Sequence, residues 1–298
     1  MRVGVRKRMI LKSIIAAVTA VSMLTACAGT HSETESVIDR ITAEVSSAVS
    51  GTAEESKPDT AENPGTGETS KPGTSDSGNT ATEDTEMSEE VKYIALTFDD
   101  GPNATTTNDV IDKLEKYGIV ASFFLIGNNI NDESAKAVKR AYDLGCEIDN
   151  HSRTHSNMTE LSAEEIKAEF EYTDEKAFEI TGEHTKFFRP PYISVHQIMF
   201  DNIDVPFIAG IGANDWEDRV TAEMRARMIL KQAKDGDIIL LHDAEGNSMT
   251  VEALDTIIPE LQKQGYKFVT VTELFKVKGI QPDMEKVYTN VMQKYQYN

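Results

Sequence analysis

In this 298-residue chain the residues able to do chemistry follow directly on short apolar runs. Asp99-Asp100 close the run from Tyr93 to Phe98. His151 follows Glu147-Ile148-Asp149-Asn150, with His155 four positions on; Arg189 follows Phe187-Phe188; Asp215-Trp216 lie just past Ile211; His242-Asp243 close the run from Ile238 to Leu241. Carboxylates and imidazoles are the groups that hold divalent cations or exchange protons near neutral pH. Each group alone also has a plain reading. Asp100-Gly101-Pro102 is turn chemistry, His151 and His155 could share a solvated helix face, Trp216 could be core, and Arg189 a surface charge. Their repeated placement points to a site, because the carboxyl ends of parallel strands share one face in α/β folds, and active sites form there. His31 lies in the acidic N-terminal third, His184 and His196 have no acidic or basic companions at ligand spacing, and all three read as ordinary residues. Cys146, flanked by apolar residues, reads as a small core residue rather than a nucleophile.

The same runs predict the elements that must hold these groups. Apolar stretches at 93–98, 120–126, 146–149, 187–188, 205–211, 238–241 and 266–271 alternate with helical patterns near 106–117, 133–144, 162–180, 221–234 and 250–264. Ser162-x-x-Glu165 has the form of a capping box, and Gly265 stands where a helix-ending glycine belongs. Strands alternating with helices predict a mainly parallel sheet covered by helices, open or closed into a barrel. Periodicity does not choose between the two.

All 11 Phe, all 9 Tyr and the single Trp lie between Tyr93 and Tyr297, so the first 90 residues hold nothing with which to build an ordinary core. The net charge of −20, with no basic run after Lys12, excludes nucleic-acid binding as a main activity. Arg2, Arg6, Lys7, Arg8 and Lys12 precede an apolar run from Ile14 to Leu24, the layout of a bacterial secretory signal. That run is too short to span a bilayer. It ends in Leu24-Thr25-Ala26-Cys27, which resembles the lipobox of bacterial lipoproteins, with Cys27 as the lipid site. From there to Glu90 the chain is acidic and rich in Ser, Thr, Glu, Gly and Pro, the composition of a disordered tether. The expected organisation is a signal peptide at 1–26, a tether at 27–90, a catalytic domain at 91–276 and a C-terminal extension at 277–298. The expected location is the outer face of the bacterial membrane, as a lipid-anchored monomer.

Five ordered segments carry a resemblance. Thr97-Phe98-Asp99-Asp100-Gly101-Pro102, His151-Ser152-Arg153-Thr154-His155, Arg189-Pro190-Pro191-Tyr192, Asn214-Asp215-Trp216 and Leu240-Leu241-His242-Asp243 are similar to the motifs of the polysaccharide deacetylases of carbohydrate esterase family 4, the NodB-type domain. The resemblance covers residues 91–276. It implies a distorted (β/α) barrel and one divalent metal ion, zinc first, with cobalt, nickel or manganese also compatible, held by Asp100, His151 and His155. Two imidazoles and a carboxylate leave coordination positions open. By the same resemblance Asp99 is the general base, Arg189 orients it, His242 is the general acid, and Asp215 favours the charged form of His242. The backbone N–H of Tyr192 faces the oxyanion, while Trp216 and Leu240 form the slot for the acetyl methyl.

The chain departs from the family pattern in two places. Gly212 stands where the fourth motif usually begins with Asp, and Ile193 follows Tyr192 where a glycine is common. Neither change removes a proposed catalytic group. The implied activity is removal of acetyl groups from a polysaccharide, first N-deacetylation of N-acetylglucosamine in peptidoglycan. The alternative is an O-acetyl esterase of acetylated xylan, because Gly212–Trp216, Thr250–Asp255 and Val269–Phe275 also look like xylan-acting members. A third reading, a silent carbohydrate-binding domain, sits poorly with an intact set of acid, base and ligand residues.

Overall fold

The structure, a computed structural model, describes residues 91–293; the signal segment, Cys27 and the tether lie outside the described residues. The chain's first described element is β1 (Lys92–Asp99), buried from Ile94 onward. A strand hidden on both faces needs an unbroken apolar run rather than an alternating one, and Ile94-Ala95-Leu96-Thr97-Phe98 supplies it. Three strands pair with β1 in parallel: β2 (Ser122–Leu125), β6 (Ile238–His242) and β7 (Tyr266–Val269). Outward from these, β3 (Glu147–Asn150) pairs with β2 and β5 (Ile211–Gly212) with β6, giving the order β3-β2-β1-β6-β5 with β7 also on β1. A parallel pair of β4 (Phe207–Ile208) and β8 (Val287–Tyr288) lies beyond β3, linked to it by parallel bridges from Asn150 to Phe188 and from Phe188 to Phe207. The fold is thus α/β around a parallel sheet.

The helices are α1 (Thr106–Tyr117), α2 (Ser134–Asp143), α3 (Ala163–Thr181), α4 (Gln197–Phe200), α5 (Ala222–Gln232), α6 (Ser248–Lys263) and α7 (Val271–Val277). α1 buries Val110, Ile111 and Leu114 on one face and stops at Gly118, whose φ of 63° suits a residue without Cβ. Both bonds of the expected capping box are present at the start of α3: the Ser162 side chain accepts from the Glu165 N–H, and the Glu165 carboxylate accepts from the Ser162 N–H. The main core lies between the sheet and its covering helices, where Leu96, Phe98, Leu114, Ile239, Leu241 and Ile257 meet. Cys146 sits in that core as a free thiol, pushed up to about 11 by burial and so inert as a nucleophile. No helix among the described residues is long and apolar enough to cross a membrane.

The structure differs from the sequence expectation in several elements: 187–188 forms only isolated bridges, and 205–211 divides into β4 and β5. The apolar stretch 266–271 divides into β7 and the start of α7, because the Thr270 hydroxyl caps a new helix by accepting from the Glu273 N–H. Beyond residue 276, expected as an extension, β8 pairs with β4, and Val287, Tyr288 and Val291 are buried, so the packed body continues through Val291.

Candidate active site

Strand register delivers the polar residues to one level. In the β1–β6 ladder Asp99 lies opposite His242, and the Asp243 N–H donates to the Asp99 carbonyl. In the β2–β3 ladder Leu125 lies opposite Asn150, and the His151 N–H donates to the Leu125 carbonyl. The Arg189 N–H in turn donates to the Asn150 carbonyl. β1, β3 and β6 therefore end where the sequence places a carboxylate or an imidazole, at Asp99-Asp100, His151 and His242.

Arg189 is fully buried and holds Asp99 through Nη1 to Oδ1 at 2.5 Å, while Nη2 donates to the Ala209 carbonyl at 2.8 Å. Its guanidinium carbon lies 4.0 Å from the centre of the Phe124 ring, which fixes its plane. Asp99 is 2% exposed, so the guanidinium and the carboxyl group meet away from water and hold each other in place.

Asp100, His151 and His155 converge, with ligand atoms within 4.8 Å of one another. The Nε2 atoms of His151 and His155 lie 3.6 and 3.5 Å from Asp100 Oδ1. His151 Nδ1 is 2.6 Å from the Arg189 carbonyl, which only accepts, so Nδ1 carries the proton and Nε2 presents its lone pair. Burial pulls the His151 pKa down, against the raising effect of Asp99 and Asp100, which favours the neutral ligand form. Asp100 Oδ1 is buried without a hydrogen-bond partner. An orphaned carboxylate oxygen facing an imidazole lone pair is unfavourable unless a cation lies between them, so these residues fit a divalent metal.

The backbone around this point is unusual. Asp100, Ser152, His155, Tyr192, Ile193 and Asn214 have φ of 73°, 66°, 59°, 60°, 54° and 51°, and they are the only non-glycine residues with positive φ among those described. All six lie in or beside the site, where such strain is held by the surroundings. Part of that support is Asp243, buried, which accepts from the Gly101 N–H and from the Thr107 hydroxyl. A Cβ on Gly101 would stand 2.5 Å from Asp243 Oδ2, so only glycine permits this contact. Burial, with help from Asp99 and Asp100 and against the Thr107 hydrogen bond, pushes Asp243 up to about 7. Asn129 completes the brace by donating to the Asp100 carbonyl.

His242 is gripped by Asp215, whose Oδ1 lies 2.7 Å from Nδ1 and whose Oδ2 accepts the His242 backbone N–H at 2.8 Å. With Nδ1 occupied, Nε2 is the nitrogen able to reach a substrate. Burial lowers the His242 pKa, but the hydrogen bond and charge of Asp215 outweigh it, with Asp99 and Asp100 adding, and raise it to about 9. Asp215 stays below the usual carboxylate range, its own burial being outweighed by His242 and Thr250.

A cavity of about 630 Å³ opens over these groups, lined by Asp99, Asp100, His151, His155, Tyr192, Trp216, Leu240 and His242 among others. Trp216 and Tyr192 are 60% and 66% exposed, and stand as aromatic walls at its rim. A second, polar groove of about 690 Å³, lined by Asn103, Asn128, Asn131 and Glu245, meets the first at Asp100 and His155. The structure thus brings together all ten site residues expected in the described region: eight line the cavity, and Arg189 and Asp215 stand buried behind it. Cys27 lies outside the described residues. His184 and His196 lie elsewhere, the first paired with Asp174 and the second capping α4. Sequence reasoning missed Arg225, Asn247 and Thr250, which surround Asp215 and His242; a buried arginine on a helix carries no mark in the sequence.

Comparison with known proteins places these features in a family. The family model described as polysaccharide deacetylase matches residues 86–203. The chain is 50% identical over 214 residues to a bifunctional xylanase/deacetylase of Pseudobutyrivibrio xylanivorans, covering 72% of this chain and 35% of that protein, so it spans about a third of that relative's length. It is 36% identical over 200 residues to a peptidoglycan-N-acetylglucosamine deacetylase of Bacillus cereus, covering 65% of this chain and 92% of that one. Among solved structures, a family 4 acetyl xylan esterase from Clostridium thermocellum in complex with a cobalt ion superposes with a TM-score of 0.66 at 42% identity, covering 68% of this chain and all of that one.

Proposed function

The chain belongs to the polysaccharide deacetylase family, and from that premise we propose that it is a metal-dependent hydrolase that removes acetyl groups from a polysaccharide. One observation carries the reading: a buried Arg189–Asp99 pair and an Asp215–His242 pair flank the Asp100–His151–His155 cluster over a single cavity. The two pairs differ in the way acid–base chemistry requires. Asp99, facing a guanidinium, is held ready to accept a proton, and His242, facing a carboxylate, is held ready to give one.

The residues divide the work as follows. Asp99, fixed through Oδ1 by Arg189, takes a proton at Oδ2 from the attacking water. The acyl carbon becomes tetrahedral, and its oxygen is met by the backbone N–H of Tyr192. His242 gives the proton on Nε2 to the leaving nitrogen or oxygen as the bond to the acyl carbon breaks, and Asp215 stabilises the imidazolium beforehand. Trp216 and Leu240 enclose the acetyl methyl. Asp100, His151 and His155 would hold the divalent ion, zinc, cobalt, nickel or manganese, which when bound acidifies water and polarises a carbonyl. The two grooves meeting at Asp100 and His155 suit a polymer that crosses the site.

Two polymers fit. Peptidoglycan, deacetylated at N-acetylglucosamine, suits a domain held near the cell wall by a lipid on Cys27 and the acidic tether of residues 27–90. Acetylated xylan is favoured by the 50% and 42% identities to a xylanase/deacetylase and an acetyl xylan esterase. The bridges from β3 through Phe188 to β4, and the two-residue step from β4 to β5, support a distorted barrel. The test is acetate release by the full chain, stripped of metal and reloaded with zinc or cobalt, on N-acetylglucosamine oligomers, peptidoglycan and acetylated xylan side by side. Metal-dependent release from any of them supports the reading and identifies the polymer; release from none refutes it. Cys27→Ser should move the protein from the membrane fraction to the soluble one, and unchanged retention would refute the anchor.

A further inference from the structure

Behind the Asp215–His242 pair lies a layer of polar side chains that the motifs do not include. Arg225, on α5, is 2% exposed and extends toward the start of α6. Its Nη1 donates to the Thr250 hydroxyl at 2.8 Å and to Asn247 Oδ1 at 2.5 Å, and its Nε donates to the Val220 carbonyl at 2.8 Å. A guanidinium only donates. The Thr250 oxygen therefore accepts from Arg225, and its single proton is left for Asp215 Oδ2, 2.7 Å away. By the same logic Asn247 turns its oxygen to Arg225 and its Nδ2 to the His242 carbonyl, at 2.9 Å.

We propose that Arg225 and Thr250 are positioning residues for the general acid, orienting Asp215 and through it the imidazole of His242. The inference rests on the reading of His242 as the acid. Asp215 receives three donors: the His242 ring and backbone N–H and the Thr250 hydroxyl. Three fixed donors leave the carboxylate one orientation, with Oδ1 in line with Nδ1. Without the Thr250 hydroxyl, Oδ2 keeps only the backbone N–H, and the carboxylate can swing off the ring. Arg225 removes the remaining choice, because it dictates which way both the Thr250 hydroxyl and the Asn247 amide point. One buried cation thus sets two contacts that end on the two sides of His242, its ring and its carbonyl.

The leaving group makes the test selective. A sugar amine or alkoxide must be protonated as it departs, whereas 4-nitrophenolate leaves without help. In the full chain loaded with zinc, Thr250→Val should lower kcat by about ten- to a hundredfold on whichever acetylated sugar polymer the wild type hydrolyses, with KM little changed. The rate on 4-nitrophenyl acetate should stay within about threefold of wild type, and Thr250→Ser should restore polymer turnover. Equal losses on polymer and aryl ester, or no loss on either, would overturn the proposal. The downfield proton resonance of His242 Nδ1–H gives a reading that needs no turnover. In Thr250→Val it should shift and broaden; an unmoved, sharp resonance would overturn the proposal. If the wild type hydrolyses no polymer while the resonance responds as expected, the deacetylase reading fails and the positioning role stands.

Discussion

Replacing Asp215 with Asn tests the acid–base assignment most sharply, because the size of the effect follows from the site's electrostatics. His242 is raised from its ordinary 6.5 to about 9, against a burial effect that acts downward, and Asp215 is the principal raising partner. Each unit is worth about 1.4 kcal/mol, so the surroundings of His242 taken together favour the imidazolium by roughly 3 kcal/mol. At pH 7.5 a histidine titrating at 9 is about 97% protonated, and one titrating at 6.5 is about 9% protonated. Asp215→Asn removes the carboxylate and keeps the shape, leaving burial to set the value at or below 6.5. The direction is fixed: the acid is present below its pKa and lost as pH rises through it. The assay is kcat/KM on an acetylated oligosaccharide from pH 5 to 10. The alkaline limb should move from near 9 to below 6.5, costing about tenfold at pH 7.5, with recovery as pH falls toward 5.5. Any misorientation of the ring would add a pH-independent loss. An alkaline limb that stays near 9, with the same loss at every pH, would refute His242 as an acid tuned by Asp215.

Asp99→Asn keeps the bond to Arg189 Nη1 but removes the proton acceptor, so turnover should fall by about 10²–10⁴-fold while metal stoichiometry is unchanged; substantial residual activity would refute the base assignment. His155→Ala should sharply weaken zinc binding in a chelator-competition titration, since it removes one of three converging donors, and unchanged affinity would refute the ligand set. Gly101→Ala should destabilise the fold by about 1–3 kcal/mol, because its Cβ would meet Asp243 Oδ2 at 2.5 Å. Thermal unfolding with an unaltered Tm would show that Asp243 yields more easily than its buried contacts suggest.

The sequence disclosed the site more fully than the scaffold. Asp99, Arg189 and His242 were visible because each closes an apolar run, and a run that ends in a charge marks a strand's end. The long helices were visible through apolar spacing and, at Ser162 and Glu165, through capping chemistry. Smaller elements were not. The stretch 205–211 divides into β4 and β5, two residues each and too short for any period; β4 pairs at Phe188, β5 at Ile239 and Leu240, and the unforeseen β8 pairs with β4. The start of α7 was hidden at the end of an apolar stretch that Thr270 closes. Arg225 was invisible for a different reason: its partners Val220, Asn247 and Thr250 come from two segments, 220–225 and 247–250, that only the fold brings together.

The pairing of Asp99 with His242 across adjacent strands sets a length. Neighbouring strands lie about 4.8 Å apart, and backbone hydrogen bonds hold that spacing whatever the surrounding loops do. The two backbones that carry the proposed proton donor and proton acceptor are thereby held side by side, and loop replacement cannot part them without breaking the sheet. The rim, at Tyr192, Trp216 and the Asn-lined groove, is built from residues outside those strands and can change while their pairing stays. The rim and the strand ends are thus held by different parts of the chain, loops for the one and sheet hydrogen bonds for the other.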